Sequence, residues 1–310
     1  CADWAINDRF GSMAEHVRAI YMCNGALSPE FSTQKGIMEG VKLYREDSEE
    51  FISSLIDLTE DVLFIEDPRK KGYYHPRIMP FNTYAYKALS PQLKREFDKI
   101  HEEFFYQRHN DFWRDSAMLK LPTLLSSTRM LACGEDLGMI PACVPDVMSN
   151  LRLLSLEIQR MPKSMGQEFA NPSCYPYLSV CTTSTHDMNP IRAWWEEDAE
   201  VSQRYYNNIL KMCGDAPAEC TPEIAKRILE QHVASPAIFV ILPLQDWLAM
   251  DGKLRAENPH SERINVPAIA RYYWRYRMHI TLEQLLNEEG FNNKMRELLK
   301  VKKVIPNSQM

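Results

Sequence analysis

The chain has 310 residues, of which 45% are hydrophobic and 25% are charged, and its formal net charge is −6. A chain of this length is expected to fold as about two domains or as one α/β barrel. The acidic balance argues against the broad basic surface that nucleic acid requires, so we expect no nucleic-acid partner. No apolar run reaches the roughly 18 residues of a membrane span, so we expect no membrane association.

The eight cysteines are too sparse for a disulfide scaffold, and none of them forms a Cys-x-x-Cys pair. Reduced thiols are typical of a cytoplasmic protein, which is the location we expect. The chain begins at Cys1 with neither an initiating methionine nor a signal-peptide pattern. This start is typical of a piece cut from a longer protein.

Residues 1–108 are predicted to be mainly helical. Apolar residues recur at helical spacing in the segments 8–21, 49–63 and 91–108. A short strand is predicted at 62–65, and the aromatic and basic stretch 73–77 is expected to pack against neighbouring helices. This part of the sequence shows no catalytic constellation.

Strand and helix signals alternate after an amphipathic helix predicted at 111–125. Apolar and β-branched runs predict strands at 130–133, 151–158, 177–183 and 236–242. Helices are predicted at 141–149, 199–213 and 222–233, and a helical tail closes the chain. This βα repetition predicts a parallel sheet or barrel, and four strands make half of an eight-stranded barrel. The other half is expected upstream.

Candidate carboxylates stand directly after two of the predicted strands. Glu135 follows the strand at 130–133, and His186 and Asp187 follow the strand at 177–183. Catalytic groups of α/β barrels come from the C-terminal ends of several strands, so this placement indicates acid–base chemistry.

Each of these motifs is weak when taken alone. Asp136 is equally suited to cap the next helix. His186 has no companion ligands of the His-x-x-x-His or Cys/His type, so we expect no metal. No Gly-x-Ser-x-Gly turn occurs, which argues against a Ser/His/Asp triad.

Aromatic, amide and charged residues mix after the last predicted strand, at 245–246, 262–267 and 273–277. Such mixtures suit sugars, because sugar rings have apolar faces and hydroxyl edges. Four tryptophans, Trp194, Trp195, Trp247 and Trp274, are equally compatible with packing in the core.

Together these residues resemble the 4-α-glucanotransferases of glycoside hydrolase family 77. The shared motifs, in the family's order, are Gly-Glu-Asp-Leu-Gly-x-Ile-Pro (134–141), Thr-His-Asp (185–187), Trp-Trp (194–195), Gln-Asp (245–246) and Glu-Arg-x-Asn-x-Pro (262–267). The stretches 130–138, 140–143, 158–162 and 192–198 are most similar to the plant cytosolic members and their bacterial relatives. Members of that subgroup carry a long insertion within the barrel.

The resemblance implies a (β/α)8 barrel that works by a retaining double displacement. It implies that residues 1–108 are the mainly helical insertion and that residues 109–310 are the second half of the barrel with its C-terminal helices. It also implies transfer of α-1,4-linked glucosyl units from maltose or malto-oligosaccharides to a glucan polysaccharide, with no cofactor.

Carried over by motif, Glu135 resembles the general acid/base and Asp187 the carboxylate that stabilises the transition state. Apolar neighbours such as Leu131 and Cys133 are expected to favour the protonated form that a general acid needs. The resemblance implies that the following residues bind substrate: His186, Asp136, Trp194, Gln245, Asp246, Glu262, Arg263 and Asn265.

One departure from the family concerns the nucleophile. The family's nucleophilic aspartate lies in an Arg-Ile-Asp-His stretch, which this sequence lacks. Retaining chemistry requires that second carboxylate about 5 Å from the acid/base. We therefore expect the nucleophile upstream of Cys1, together with the missing N-terminal half of the barrel, and we expect this chain alone to be inactive. A smaller departure is Met-Asn-Pro (188–190) after Thr-His-Asp, where many bacterial relatives have other polar residues.

Two alternative functions remain at this stage. One is a hydrolase of the α-amylase group, in which water replaces the acceptor sugar. The other is a non-catalytic glucan-binding module. A half barrel exposes a sheet edge, and pairing with a second copy is one way to cover it, so a homo-oligomer is also left open.

Overall fold

The computed structural model describes residues 3–44, 48–138, 140–164 and 166–300. The chain divides into two compact units, Cys1–Trp113 and Arg114–Met310, each with its own hydrophobic core. The boundary between them falls within helix α7 (His109–Ser126).

The first unit consists of helices and two short antiparallel hairpins. Its helices are α1 (Asp3–Phe10), α2 (Ala14–Tyr21), α3 (Gln34–Tyr44), α4 (Glu49–Glu60), α5 (Tyr84–Lys87) and α6 (Pro91–Glu102), and a π-helical turn, Glu103–Arg108, follows α6. The hairpins pair β1 (Met22–Cys23) with β2 (Ala26–Leu27) and β3 (Phe64–Glu66) with β4 (Tyr74–Pro76).

The helix predicted over 8–21 is divided in two. A 3-10 turn, Gly11–Met13, separates α1 from α2, and Gly11 has a φ of +51°, a conformation that glycine adopts without steric cost. Each half still buries one face in the core of this unit. That core centres on Val17, Ile37 and Leu55, which come from three different helices.

The second unit is an α/β arrangement around a parallel sheet. Its strands are β5 (Ser155–Ile158), β6 (Ser179–Thr182) and β7 (Phe239–Val240), in that order across the sheet. Its further helices are α8 (Val144–Leu151), α9 (Ile191–Trp195), α10 (Ala199–Asn208), α11 (Pro222–Val233), α12 (Leu244–Ala249), α13 (Leu282–Asn287) and α14 (Glu289–Leu299). The predicted α/β class is confirmed.

Helix α11 shows how the sequence produces this packing. Thr221 caps its N-terminus by accepting the N–H of Ile224, and Pro222 occupies the first turn, where its missing N–H costs nothing. The apolar side chains then recur at helical spacing, so that Ile224 and Ile228 are fully buried against the core that contains Trp195.

The predicted buried strand at 130–133 is wrong in its burial and its length. Only Cys133 pairs with the sheet, through a parallel bridge to Leu154, and Met130 and Leu131 are 78% and 60% exposed. The segment is paired on one side, while no strand among the described residues lies on its other side. The described residues therefore leave its apolar side chains uncovered.

The helix predicted at 111–125 is confirmed as part of α7, but none of its described side chains is buried. Phe112, Leu119 and Leu124 are all exposed. None of the helices in the described ranges is long and apolar enough to cross a membrane.

Candidate active site

The candidate residues of the second unit gather where its parallel strands end. Glu135 lies two residues after the bridge at Cys133, Asp187 follows β6, and Gln245 and Asp246 follow β7. Since parallel strands present their carboxyl ends at one edge of a sheet, these residues belong to the edge that carries sites in α/β folds.

Asp187 is held by a segment that is distant in sequence. The side-chain amide of Asn265 donates to Oδ1 of Asp187, and the guanidinium of Arg263 donates to its backbone carbonyl at 3.2 Å. The backbone N–H of Asn265 donates to the carbonyl of His186 at 3.1 Å. Arg263 also donates to the carbonyl of Asn265 at 2.9 Å. The Thr-His-Asp and Glu-Arg-x-Asn-x-Pro motifs therefore meet.

His186 completes this cluster on the exposed side. Its Nε2 lies 3.2 Å from Oδ2 of Asp187, and both side chains are about half exposed. The indole of Trp274 lies over the imidazole, with ring centroids 4.9 Å apart and an angle of 38° between the planes. Because Trp274 is itself 57% exposed, the cluster presents an aromatic face beside an oriented carboxylate.

Glu135 stands apart from this cluster. Its side chain is exposed and forms no hydrogen bond or ion pair with any residue that the structure describes. Its strand lies two positions from β6, with β5 between them, so the strands that carry Glu135 and Asp187 are about 10 Å apart. The apolar enclosure expected around Glu135 is not formed, since Leu131 and Cys133 are exposed.

Asp136 links the Glu135 loop to the sheet instead of capping a helix. Its Oδ1 accepts the backbone N–H of Leu156 at 2.8 Å, and its Oδ2 accepts from Nζ of Lys163 at 2.6 Å. Lys163 also contacts Glu157 at 2.8 Å. These charged side chains line one end of a cavity of about 860 Å³ beside α8. Buried and paired in this way, Asp136 fixes the position of its neighbour Glu135.

The expected sugar contact of Asp246 and Gln245 does not fit the structure, because both side chains are buried. Asp246 is 0% exposed and accepts the hydroxyl groups of Thr183 and Ser184 and the backbone N–H of Ile191. Burial raises its pKa, although the hydrogen bond from Thr183 opposes the rise. Asp246 therefore holds the start of the loop that carries Asp187, and its own side chain does not reach the protein surface.

Glu262 and Trp194 also lie in the interior. Glu262 is buried beside Arg192, and its carboxylate reaches no surface that a sugar could contact. Trp194 is half-buried and packs edge-on against Phe169, with the guanidinium of Arg160 4.9 Å from its ring centroid. Trp194 therefore packs in the interior of this structure, which is one of the two roles that the sequence left open.

The sequence analysis missed three basic residues that organise the site. Arg160 donates to the carbonyl groups of Thr183 and Asn189, and Lys163 and Arg192 pair with Asp136 and Glu262. Arg160 and Arg192 lie within stretches that carried the family resemblance, which is the signal that would have identified them. Lys163 lies one residue beyond such a stretch, and no sequence pattern indicates that it pairs with Asp136.

The arrangement is suited to acid–base and electrostatic chemistry. An exposed carboxyl at Glu135 can exchange protons, and the oriented carboxylate of Asp187 can stabilise positive charge on a sugar. Within the described ranges, no three His, Cys, Asp or Glu side chains are grouped so as to hold a metal ion. The fold and site thus define an α/β protein with candidate acid–base groups at its strand ends.

Comparison with known proteins identifies the family. Residues 37–282 match the glycoside hydrolase family 77 pattern, described as 4-alpha-glucanotransferase. The chain belongs to this family, as its motifs predicted. It is 38% identical over 274 residues to the 4-alpha-glucanotransferase DPE2 of Oryza sativa subsp. japonica, covering 86% of this chain and 29% of that protein. It is 31% identical over 184 residues to a 4-alpha-glucanotransferase of Chlamydia pneumoniae, covering 58% of this chain and 34% of that protein. The chain thus spans about a third of the length of these relatives.

Among solved structures, the chain is similar to the amylomaltase from Streptococcus agalactiae in complex with acarbose. The TM-score is 0.44 at 17% identity, over 86% of this chain and 43% of that one. The amylomaltase from Corynebacterium glutamicum gives a TM-score of 0.36 at 16% identity, over 55% of this chain and 28% of that one.

Proposed function

We propose that this chain is part of a 4-α-glucanotransferase that moves α-1,4-linked glucosyl units from maltose or malto-oligosaccharides to a glucan acceptor. The observation that carries the proposal is the contact between two family motifs at Asp187, whose carboxylate is oriented by Asn265 and flanked by His186. An anion fixed at a strand end is what an oxocarbenium-like transition state requires.

In the proposed mechanism, Glu135 protonates the glycosidic oxygen as the donor bond breaks. A carboxylate outside this chain attacks the anomeric carbon and forms the glycosyl-enzyme. Glu135, now ionised, then takes the proton of an acceptor hydroxyl, which displaces that carboxylate and restores the original anomeric configuration. Asp187 stabilises the charge in both steps, while His186, Asn265 and Trp274 contact the sugar.

We further propose that residues 109–310 supply half of a (β/α)8 barrel and that residues 1–108 are an insertion within it. The exposed apolar side chains along the sheet support this proposal, since Leu131, Phe239 and Ile241 lack the cover that a closed barrel gives. The missing half, or a second copy of the chain, would cover them. Size-exclusion chromatography distinguishes these cases, because a monomeric chain excludes cover by a second copy.

The cytoplasmic location expected from the cysteines stays a proposal that cell fractionation tests.

The experiment compares the longer protein that contains this chain with the 310-residue chain itself. Each is incubated with maltose and glycogen, and free glucose and glucan chain length are followed. We expect glucose release with chain extension from the longer protein only. Glu135→Gln is expected to lower this activity at least a hundredfold, whereas Glu257→Gln, the same change at an exposed site, leaves it unaltered.

Other outcomes would contradict the proposal. Glucose release without chain extension would identify a hydrolase of the α-amylase group. Glucan binding without turnover by the longer protein would identify a binding module. Transfer by the 310-residue chain alone would show that no nucleophile outside it is required.

A further inference from the structure

Glu262 and Arg192 form an ion pair inside the second unit. Oε2 of Glu262 lies 3.6 Å from Nη1 of Arg192, and the two side chains are 1% and 5% exposed. The same guanidinium nitrogen donates to the carbonyl of Ala256 at 2.6 Å. Neither oxygen of Glu262 accepts a hydrogen bond of normal geometry from a described residue. The carboxylate is thus compensated mainly by the charge of Arg192.

This pair is continuous with the segment that holds Asp187. Glu262 ends the 3-10 turn Pro259–Glu262, and the next residue is Arg263. The side-chain amide of Gln245 donates to the carbonyl of Glu262 at 3.3 Å. Residues 262–265 therefore contact Arg192 of α9 at one end and Asp187 at the other. A displacement of Glu262 would move both donors that orient Asp187.

The surroundings of Glu262 make its charge sensitive to pH. Burial raises its pKa to about 7, and the negative charge of Asp246 adds to the rise. Arg192, the backbone N–H of Ala256 and Arg255 oppose it. On the remaining side lies Tyr276, whose buried hydroxyl has no hydrogen-bond partner among the described residues. Arg192, Asp246, Arg255 and Tyr276 come from α9, from α12 and from the segments after α12.

We propose that Glu262 is a positioning residue for glucosyl transfer, which through its contact with Arg192 aligns Asn265 and Arg263 on Asp187. This inference rests on the transferase function proposed above. Because burial raises the pKa of Glu262, its protonated form is the more stable one in this position, and ionisation as pH rises favours displacement of the segment 262–265. Glu262 thereby controls Asp187 without touching the substrate.

The structural part of the proposal is tested on the 310-residue chain and needs no activity. The side-chain amide signal of Asn265 is followed by ¹⁵N NMR from pH 5.5 to pH 8.5, with Asn265→Ser providing its assignment. We expect it to shift with a midpoint near pH 7 in the wild type. In Glu262→Gln that component is expected to disappear, while any component from His186, which this variant retains, persists.

An identical titration in the wild type and in Glu262→Gln would overturn the proposal, as would a wild-type signal that does not titrate. If Glu262→Gln does not fold, Glu262→Asp is titrated in its place. Its shorter carboxylate changes the midpoint if Glu262 is responsible, and an unchanged midpoint contradicts the proposal.

The functional part is tested in the longer protein from the pH profile of kcat. We expect the wild-type kcat to fall about tenfold through pH 7 as Glu262 ionises, and we expect Glu262→Gln, which stays neutral, to remain at the high level with KM for maltose little changed. Glu257→Gln serves as the exposed control. A fall retained in Glu262→Gln contradicts the positioning role. Absence of transferase activity in the wild type contradicts the proposed function instead, and the NMR result then stands separately.

Discussion

The side-chain amide of Asn265 donates a hydrogen bond to the carboxylate of Asp187, a residue 78 positions earlier in the chain. This bond joins the loop after β6 to the segment that follows α12. It leaves the other carboxylate oxygen of Asp187 facing His186. The orientation of the carboxylate therefore depends on two segments, and changes in either should alter catalysis more than stability.

Replacing Asn265 with alanine tests this dependence. We expect kcat/KM of the longer protein to fall about tenfold or more, because a hydrogen bond to a charged group contributes about 1.5–3 kcal/mol. The free energy of unfolding should change by only about 1 kcal/mol, since the side chain is half-buried. Asn208→Ala, at an exposed helix end, is the control and should alter neither quantity. Equal losses of activity in both variants would contradict the prediction.

Trp274 is expected to act on substrate binding. Trp274→Ala removes the ring that lies over His186, so we expect KM for maltose to rise several-fold with stability changed by less than about 1 kcal/mol, as for an exposed site. Trp274→Phe retains a ring plane and should recover most of the affinity. Steady-state kinetics on both variants check this, and an unchanged KM in Trp274→Ala would exclude a sugar contact.

Asp246 is expected to contribute mainly to stability. Asp246→Ala leaves the hydroxyl of Thr183 and the N–H of Ile191 buried without an acceptor and removes the charge near Arg160, so we expect a loss of about 3–5 kcal/mol. Urea unfolding of the 310-residue chain measures it. Asp215→Ala, at an exposed site, should change stability by less than about 0.5 kcal/mol. Comparable values for the two variants would show that Asp246 does not hold its loop.

Glu262 is expected to make stability fall as pH rises. Its pKa is about 7 in the folded chain, against an ordinary value of 4.5 for a solvated glutamate, so the folded chain binds more protons between these values. The stabilisation from the protonated form is complete below about pH 4.5 and is lost as pH rises through 7, a change of about 3 kcal/mol. Urea unfolding at pH 5 and pH 8 should show this loss in the wild type and in Glu257→Gln. Glu262→Gln should lack it, and an equal loss there would contradict the assignment.

The sequence predicted the elements that follow from local periodicity. The strands β5, β6 and β7 lie within the predicted runs at 151–158, 177–183 and 236–242, because apolar and β-branched runs mark buried parallel strands. Helix α11 likewise coincides with the helix predicted at 222–233. The strand predicted at 130–133 is wrong because an apolar run predicts burial, whereas no described residue covers Met130 and Leu131.

The site was only partly accessible from the sequence. Motif order indicated that residues 185–187 and 262–267 act together, and the structure brings them into contact at Asp187. Motif order did not indicate which of the motif residues face inward. Asp246 and Glu262 are as polar as Asn265, yet they are buried. Their burial depends on contacts with Thr183 and Arg192, which lie in other segments of the chain. Such pairings over long sequence distances have no local signal.

The most direct test of the account concerns Glu135 as the acid/base of a retaining transferase. In the longer protein, Glu135→Ala is given maltosyl fluoride, a donor whose leaving group needs no protonation, with and without sodium azide. We predict that the glycosyl-enzyme accumulates without azide and that azide restores turnover, giving the α-maltosyl azide, because azide is an anionic acceptor that attacks without the help of a base. Transfer at the wild-type rate without azide, or no formation of glycosyl azide, would contradict the assignment.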